Sequence, residues 1–359
     1  HRAKKKNPNA IIVAAGCYVQ AFADKLREDG SVDIIIGNNQ KNQLIEMIED
    51  YKGDRKEAVV DISKTKEFEP MQIKKTAEHT RAFLKIQDGC NQFCSYCIIP
   101  YARGRVRSKP LDDLIAEVTQ LAEKGYKEIV LTGINLSAFG QDINLHLCDA
   151  VEAVCAINGI ERVRLGSLEP EQLSEDVIIR LSKQQKLCPQ FHLSLQSGCD
   201  ETLKRMNRKY NCEQYYEKLS KIRKLVPDIV FTTDVIVGFP GESEEEFEKT
   251  YEFIKKVGYT QLHVFPYSMR KGTPAARMVQ VDEKIKHERV NRLIALSHEL
   301  NENYAKSQIG KTLRVLFEKE ENGYYVGHGD NYLLVKVPSD KQLIGQLKNV
   351  IIDSYDEML

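Results

Sequence analysis

Short apolar runs alternate with amphipathic helical patterns along most of the chain. From about residue 80 onward, six such runs have the length and composition of buried β-strands. They lie at residues 82–86, 128–132, 162–165, 190–195, 229–237 and 261–266. Because helical patterns separate them, the strands are expected to pair in parallel, in a sheet curled into a barrel or part of one. In such folds the chemistry lies in the loops after the carboxyl ends of the strands.

Two regions of different character flank this pattern. In residues 1–75, two apolar runs each precede a helical pattern, which predicts a truncated α/β domain. In residues 307–359, short strand patterns surround Asn322-Gly323, a dipeptide that favours tight hairpin turns, and they predict a small antiparallel β-barrel. We therefore predict an α/β protein with three domains, at residues 1–75, 76–306 and 307–359.

Composition and charge narrow the class of protein further. Of 359 residues, 42% are hydrophobic and 29% are charged, which is ordinary for a chain with a substantial buried core. No uncharged apolar run approaches the roughly 20 residues of a membrane span, so we expect no membrane contact. The 52 basic and 52 acidic side chains cancel, which excludes a globally basic nucleic-acid binder but permits local basic stretches. An odd total of nine cysteines favours a reducing, cytoplasmic setting over disulfides.

Three cysteines follow directly on the first predicted barrel strand. Cys90, Cys94 and Cys97 have the spacing C-x3-C-x2-C. Three thiolates on one loop can hold three irons of a 4Fe-4S cluster and leave the fourth iron open for a ligand that is not protein. One alternative is structural zinc, which prefers four closed ligands, usually in two pairs, and the sequence offers no second pair. The other alternative is a chance grouping of buried cysteines.

This spacing after a barrel strand resembles the radical S-adenosylmethionine (SAM) superfamily. The resemblance implies a partial (β/α)6 barrel, with SAM bound to the open iron and cleaved by one electron. Four neighbouring motifs are more specific and resemble the methylthiotransferases; they occupy residues 97–104, 192–198, 233–242 and 265–270. The C-terminal region is similar to a TRAM domain, which implies RNA binding.

Three branches of the methylthiotransferases share this frame. Residues 131–137 and 101–105 look most like the branch that converts N6-threonylcarbamoyladenosine at tRNA position 37 to its 2-methylthio derivative. The alternatives within the family are isopentenyladenosine in tRNA and an aspartate of a ribosomal protein. An alternative from another class is an RNA-binding protein that holds zinc and has no catalytic activity. The favoured branch implies the tRNA anticodon stem-loop as partner and a flavodoxin or ferredoxin as electron donor.

Glycine and polar residues near the ends of the barrel strands are candidates for SAM binding. They are Gly133, Asn135, Ser167, Glu169, Gln196, Asp234 and Gly238. Many radical SAM enzymes carry Gly-Gly-Glu after the second strand, and this chain lacks it. Helix N-capping is the alternative for the polar residues after the third and fourth strands. An ion pair with arginine is an alternative for Asp234.

Two basic stretches follow the cysteine loop and the fourth strand, on the face expected to carry the chemistry. Their arginines are candidates for phosphate contacts that position tRNA without reading its sequence. They are Arg103, Arg105, Arg107, Arg205 and Arg208. A solvated charged face is the alternative interpretation.

The chain begins with His1 on a basic stretch, and we expect it to be a piece of a longer protein. The family resemblance implies an auxiliary 4Fe-4S cluster held by three cysteines of the N-terminal domain, and Cys17 matches the third of them. The other two belong upstream, where this chain has no residues. We therefore expect the SAM cluster to be retained and the auxiliary cluster to be absent, with Cys17 as its remaining ligand.

Anaerobic reconstitution with iron and sulfide is expected to yield about four irons per chain, because one cluster has its three cysteines and the other does not. Colorimetric iron and sulfide analysis measures this number directly. About eight irons per chain would show that the second cluster forms after all.

Overall fold

Parallel β-α units make up the N-terminal and central parts of the fold, and an antiparallel sheet makes up the C-terminal part. The computed structural model describes residues 1–69 and 80–355. The N-terminal part has a three-stranded parallel sheet and short helices. Its elements are α1 (Arg2–Lys6), β1 (Val13–Ala15), α2 (Cys17–Arg27), β2 (Ile34–Ile36), α3 (Leu44–Glu49) and β3 (Lys56–Ala58). The predicted boundary at residues 75 and 76 lies outside the described residues.

The central part is built on parallel strands, as the alternating pattern predicts. They are β4 (Arg81–Asp88), β5 (Arg107–Ser108), β6 (Glu128–Gly133), β7 (Arg162–Leu165), β8 (Ser167–Leu168), β9 (Gln190–Leu193), β10 (Val230–Val237) and β11 (Gln261–Pro266). Neighbouring strands pair in parallel, except that the short β5 pairs antiparallel with β4. The structure therefore confirms the α/β class and the partial barrel.

The third strand of the barrel is divided between two sheets. β7 pairs with β6, and after Gly166 the short β8 pairs with β9. The strand order is thus β4-β6-β7 in one sheet and β8-β9-β10-β11 in the other. Among the described residues no pairing joins β4 to β11, so the barrel is open on that side.

Helices connect the strands and cover their outer face. They are α4 (Ile99–Arg103), α5 (Leu111–Glu123), α6 (Leu147–Ala156), α7 (Glu175–Ser182), α8 (Asp200–Arg205), α9 (Cys212–Leu225), α10 (Glu244–Val257) and α11 (Glu283–Ser307). Apolar side chains such as Leu193 and Val235 pack with these helices in one large core. Because successive side chains of a strand point to opposite faces, the neighbouring His192 and Asp234 face the interior of the barrel. None of the helices in the described ranges is long and apolar enough to cross a membrane.

A four-stranded antiparallel sheet forms the C-terminal part. Its strands are β12 (Thr312–Glu321), β13 (Tyr324–Gly329), β14 (Leu334–Pro338) and β15 (Leu347–Ile351), in the order β14-β13-β12-β15. The predicted hairpin turn is confirmed, since Asn322 and Gly323 have φ angles of 53° and 80°. A small separate core with Phe317 at its centre stabilises this sheet.

Two buried arginines attach the C-terminal sheet to the amino ends of the barrel strands. Arg162 donates hydrogen bonds to the backbone carbonyl oxygens of Arg314 and His328, both at 3.0 Å. Arg164 donates in the same way to Gly329 at 3.1 Å. Because these donors reach backbone groups of the sheet, the position of the sheet on the barrel is fixed.

Glu128 balances the charge of these arginines. Its carboxylate is fully buried and pairs with Arg162, with Arg164 at 3.1 Å and with Arg81 at 3.8 Å. Burial alone would raise the pKa of Glu128, but the three guanidinium groups hold it below its ordinary value. Glu128 is therefore an ionised, buried carboxylate shared by three cations, of which Arg162 also pairs with Asp330 and Arg81 with Glu318.

Replacing Glu128 by Gln is expected to destabilise the fold by about 3–5 kcal/mol, because buried guanidinium groups lose their counter-charge at constant volume. Urea unfolding at neutral pH measures the loss. The difference from wild type shrinks as the pH falls through the lowered pKa of Glu128, since its stabilisation disappears on protonation. Glu161→Gln, in the exposed pair with Lys127, is the control and costs at most ~1 kcal/mol. Equal stability of Glu128→Gln and wild type would contradict this account.

Candidate functional site

The predicted cysteine loop leaves the carboxyl end of β4 through a turn that only glycine fits. Gly89 has a φ angle of +74°, and a Cβ atom there would lie 1.8 Å from the carbonyl oxygen of Arg105. The amide of Cys90 then donates to the carbonyl oxygen of Gly104 at 3.0 Å. The loop is therefore held against the chain segment that follows it.

Asp88, the last residue of β4, organises the charges beneath this loop. Its buried carboxylate accepts hydrogen bonds from the amide of Gly89 at 2.8 Å and from Lys85 at 2.9 Å. The guanidinium groups of Arg103 and Arg107 lie 3.5 and 3.8 Å away. Burial alone would raise the pKa of Asp88, but these partners hold it below its usual range. The carboxylate thus stays ionised among three cations.

The three thiol groups are not gathered as tightly as the ligands of a single zinc ion. Ligands of one tetrahedral zinc lie about 3.8 Å apart, because the Zn–S bond is about 2.3 Å long. Within the described ranges, no group of three ligand atoms closer than 4.8 Å includes the thiols of Cys90, Cys94 and Cys97. A 4Fe-4S cluster binds each thiolate to a different iron and suits this wider separation.

Two side-chain hydrogen-bond donors, Arg208 and Asn135, are directed at these sulfur atoms. Nη1 of Arg208 lies 3.3 Å from Sγ of Cys94, and Nδ2 of Asn135 lies 3.6 Å from Sγ of Cys90. Burial raises the pKa of all three thiols, to about 12 for Cys97, so they are protonated until iron binds. Hydrogen bonds to the sulfurs tune the reduction potential of such clusters, and these donors fit that task.

Asn135 also has an unsatisfied acceptor beside the loop. The residue is buried, and its backbone amide donates to Oε1 of Gln87 at 2.7 Å. Within the described part of the chain, its Oδ1 atom has no hydrogen-bond partner. A buried acceptor without a partner costs free energy, and a bound donor removes that cost. The ammonium group of SAM is a donor of this kind, and the SAM contact of Asn135 stays a prediction.

Glu169 and Arg208 form an ion pair next to Cys94. Arg208 donates to the carboxylate of Glu169 and to the thiol, and it lies 3.7 Å from Glu171. Burial raises the pKa of Glu169, although Arg208 opposes that shift. Glu169 thus lies beside the cysteine loop, as predicted, but a side chain of the protein already occupies its carboxylate.

The other SAM candidates have different surroundings. Ser167 is exposed, and Gly133 packs on Gln87, where a Cβ atom would lie 2.9 Å from that side chain. Gly238 lies against α11, where a Cβ atom would meet Lys286 at 2.3 Å. This packing explains why position 238 is glycine without requiring a ligand.

The strand that precedes Gln196 is shorter than the sequence predicts. The ladder of β9 stops at Leu193 rather than at residue 195. Gln196 has a φ angle of +66°, its amide donates to the carbonyl oxygen of Asp234 and its own oxygen accepts from Ile236, both at 2.9 Å. The positive φ angle turns the chain out of the sheet, although an isolated β-bridge still joins Gln196 to Val235 of β10.

The structure corrects two of the predicted phosphate contacts. Arg107 is fully buried and donates to the carbonyl oxygens of Arg103 and Arg105. Arg208 is buried on Glu169. A buried guanidinium group cannot reach a phosphate without abandoning its partners. Contacts within the protein therefore account for both guanidinium groups, and neither is exposed for a phosphate.

Two other arginines of this set, Arg205 and Arg105, differ in their exposure and in their protein partners. Arg205 is half-buried and donates to Glu246 at 2.9 Å, which accounts for its position without RNA. Arg105 is exposed, with its guanidinium 5.0 Å from the ring centroid of Phe93. Arg105 thus remains available for the predicted phosphate contact.

Cys17 lies beside the cysteine loop of the barrel. Its Sγ atom accepts a hydrogen bond from Nε of Arg103 at 3.0 Å, and Arg103 also approaches Asp88. The contact places the start of α2 next to α4. The thiol that was predicted to bind the auxiliary cluster thus faces the end of the barrel that carries Cys90, Cys94 and Cys97.

Two histidines that the sequence analysis missed complete a polar cluster inside the barrel. His192 and His263 lie 3.2 and 3.3 Å from the two carboxylate oxygens of Asp234. The alternative of an arginine partner for Asp234 is therefore wrong. A signal was present in β11, where the polar Gln261 and His263 occupy alternate positions and the apolar Leu262 lies between them.

These features define the class of protein. The sequence profile of the radical SAM superfamily matches residues 84–254, which run from β4 into α10. The match contains the cysteine loop, the donors directed at its sulfurs, His192 and Asp234, whereas His263 lies beyond it. The chain is therefore a radical SAM protein.

Three curated relatives specify the family. The threonylcarbamoyladenosine tRNA methylthiotransferase MtaB of Bacillus subtilis (strain 168) is 41% identical over 98% of this chain and 80% of its own length. The protein of the same name in Aquifex aeolicus (strain VF5) is 40% identical over 98% of this chain and 85% of its own length. A tRNA-2-methylthio-N(6)-dimethylallyladenosine synthase of Clostridium botulinum (strain Hall) is 41% identical over 97% of this chain and 80% of its own length. The chain belongs to the radical SAM methylthiotransferase family.

Replacing Cys94 by Ala is expected to lower the iron content from about four atoms per chain to below about one, because two cysteines do not retain the cluster. Iron analysis and the absorbance near 400 nm after anaerobic reconstitution measure the loss. Cys155→Ala, on the core-facing side of α6, is the matched control and keeps both signals. A Cys94→Ala protein with full iron content would contradict the assignment.

Proposed function

We propose that this protein is a tRNA methylthiotransferase that converts N6-threonylcarbamoyladenosine at position 37 to its 2-methylthio derivative. The observation that carries the proposal is the cysteine loop with its sulfur-directed donors, in a chain that aligns along almost its whole length with relatives named for this nucleoside. Overall identity does not choose between the tRNA substrates, since the dimethylallyladenosine synthase is also 41% identical. The motif at residues 131–137 and the polar barrel interior favour the threonylcarbamoyl substituent.

The residues of the site have distinct tasks in this reaction. A 4Fe-4S cluster on the three cysteines supplies the reductive cleavage of SAM when it is bound. Arg208 and Asn135 stabilise negative charge on the ligating sulfurs, because their N–H groups are directed at them. Asn135 also offers its free oxygen to the SAM ammonium group. Asp88 holds the loop in place through Arg103 and Arg107.

The anticodon stem-loop is the proposed partner, and its adenosine enters the barrel interior. Ser167 and Phe265 are exposed there and leave room for a ligand. Arg105 is exposed at the same end and suits a phosphate group. The cleavage of SAM consumes one electron, which we assign to a flavodoxin or ferredoxin. We further propose that sulfur transfer needs an auxiliary cluster in which Cys17 is one ligand.

Mass spectrometry of tRNA nucleosides from a deletion strain tests this function. We expect 2-methylthio-N6-threonylcarbamoyladenosine to disappear and N6-threonylcarbamoyladenosine to accumulate. The wild-type gene restores the methylthio group, and the Cys94→Ala gene does not. Persistence of the methylthio group would refute the proposal, and its loss from isopentenyladenosine instead would assign the other tRNA substrate.

A further inference from the structure

Three side chains from adjacent strands form a polar cluster inside the barrel, which we name the interior triad: His192 of β9, Asp234 of β10 and His263 of β11. Nε2 of His192 lies 3.2 Å from Oδ2 of Asp234, and Nδ1 of His263 lies 3.3 Å from Oδ1. The two imidazole rings stack with centroids 5.4 Å apart and planes at 26°. One carboxylate therefore holds two rings in a fixed orientation.

The interior triad lies on the same side of the sheet as the groups that contact the cysteine loop. Val235 belongs to the helix-facing core, so the neighbouring Asp234 points into the barrel. The charge of Asp234 is close enough to contribute to the raised pKa of Glu169. Glu169 pairs with Arg208, which in turn donates to Cys94. The triad thus borders the SAM-binding end of the interior.

His263 is the member of the triad that can reach a bound molecule. Its Nδ1 faces Asp234, which leaves Nε2 on the other side of a ring whose side chain is 48% exposed. The hydrogen bond to Asp234 raises the pKa of His263, which favours a proton on both ring nitrogens. His192, in contrast, is buried between Asp234 and Thr232. The triad therefore presents one charge-assisted donor to the interior.

An exposed aromatic ring accompanies this donor. Phe265 is 51% exposed and lies two residues beyond His263 on the same face of β11, about 7 Å further along the strand. An exposed aromatic face suits the stacking of a flat base. A base on Phe265 has His263 within reach of its substituents.

We propose that His263, oriented by Asp234, recognises the N6 substituent of the target adenosine by donating from Nε2 to an oxygen of a carboxylate-bearing, amino-acid-derived group. This inference rests on the proposed function, since it concerns the same substrate site. A hydrocarbon substituent has no acceptor and would desolvate His263 and Asp234 without replacing water. A site built to hydrogen-bond a substrate group rejects analogues that lack it. The triad thus selects threonylcarbamoyl over isopentenyl.

The same side chains also have the spacing of a metal site. Their ligand atoms lie within 4.8 Å of one another, and two histidines with one carboxylate suit divalent ions. Each carboxylate oxygen, however, already faces one ring nitrogen, and the other nitrogen of His192 lies 3.0 Å from Thr232. Nε2 of His192, however, makes no hydrogen bond within the described residues and touches Asp234 only as an ion pair, so metal binding is the competing outcome of the test.

Fluorescence anisotropy with anticodon stem-loop RNAs tests the proposal on the reconstituted chain in the presence of SAM. Three RNAs differ only at position 37, which carries N6-threonylcarbamoyladenosine, isopentenyladenosine or adenosine. The wild-type protein is expected to bind the first RNA at least about 10-fold more tightly than the others. His263→Phe is expected to weaken that binding about 10- to 100-fold, the effect of losing a hydrogen bond to a charged group, and to leave the adenosine RNA unaffected.

Two further variants make the result specific. His263→Gln keeps a donor and is expected to retain part of the preference. His298→Phe, on the exposed side of α11, is the matched control and is expected to change no affinity. Zinc titration of the reconstituted wild-type protein, followed by gel filtration and elemental analysis, is expected to show no zinc that depends on His263.

Each contrary result has its own meaning. A preference that persists in His263→Phe, or equal weakening for all three RNAs, would overturn the inference and leave the proposed function intact. A wild-type protein without the preference would overturn both the inference and the proposed substrate. One zinc per chain that His263→Phe loses would replace substrate recognition by metal binding.

Discussion

The buried carboxylate of Asp88 is the charge on which the arrangement of the site depends. It lies where β4 ends and the cysteine loop begins, and the segments after the loop bring Arg103 and Arg107 to it. An ionised group costs several kcal/mol to desolvate, and only surrounding donors offset that cost. Since Arg103 also contacts Cys17, this one carboxylate joins the barrel, the loop and the N-terminal part. These contacts therefore tie the loop to the barrel and to the N-terminal part.

The requirement that buried charge be paired continues into the barrel interior. The ion pair of Arg208 and Glu169 supports Cys94, and Asp234 with its two histidines follows on the same side of the sheet. The helix-facing side of the same strands is apolar and forms the main core. Because a strand sends alternate side chains to opposite faces, the interior groups can differ between enzymes without disturbing the core. Packing thus determines the barrel, and the interior side chains are free to determine the chemistry of the site.

Local sequence patterns predicted most of this fold, and long-range pairing explains what they missed. The strands were predictable because each apolar run is bounded by polar or glycine residues, and the ligand loop was predictable because its cysteines lie within residues 90–97. Arg208 looked like a phosphate contact because its neighbours are basic, yet its partner Glu169 lies 39 residues earlier. The partner His263 of Asp234 likewise lies 29 residues later. Such contacts depend on which strands are adjacent, and no local pattern reports that.

At the opposite end of the barrel, arginines attach the C-terminal sheet to the strands. This attachment limits the routes into the barrel interior. Arg162 and Arg164 donate to backbone carbonyl groups of the C-terminal sheet, and the ring of Tyr332 lies 5.0 Å from the guanidinium of Arg164. The sheet therefore closes the amino ends of the strands, and these donors are not free for phosphate. In the same sheet Tyr325 is buried, whereas Tyr324 at the hairpin is 46% exposed. The carboxyl end and the open side between β4 and β11 therefore remain as the routes into the barrel interior.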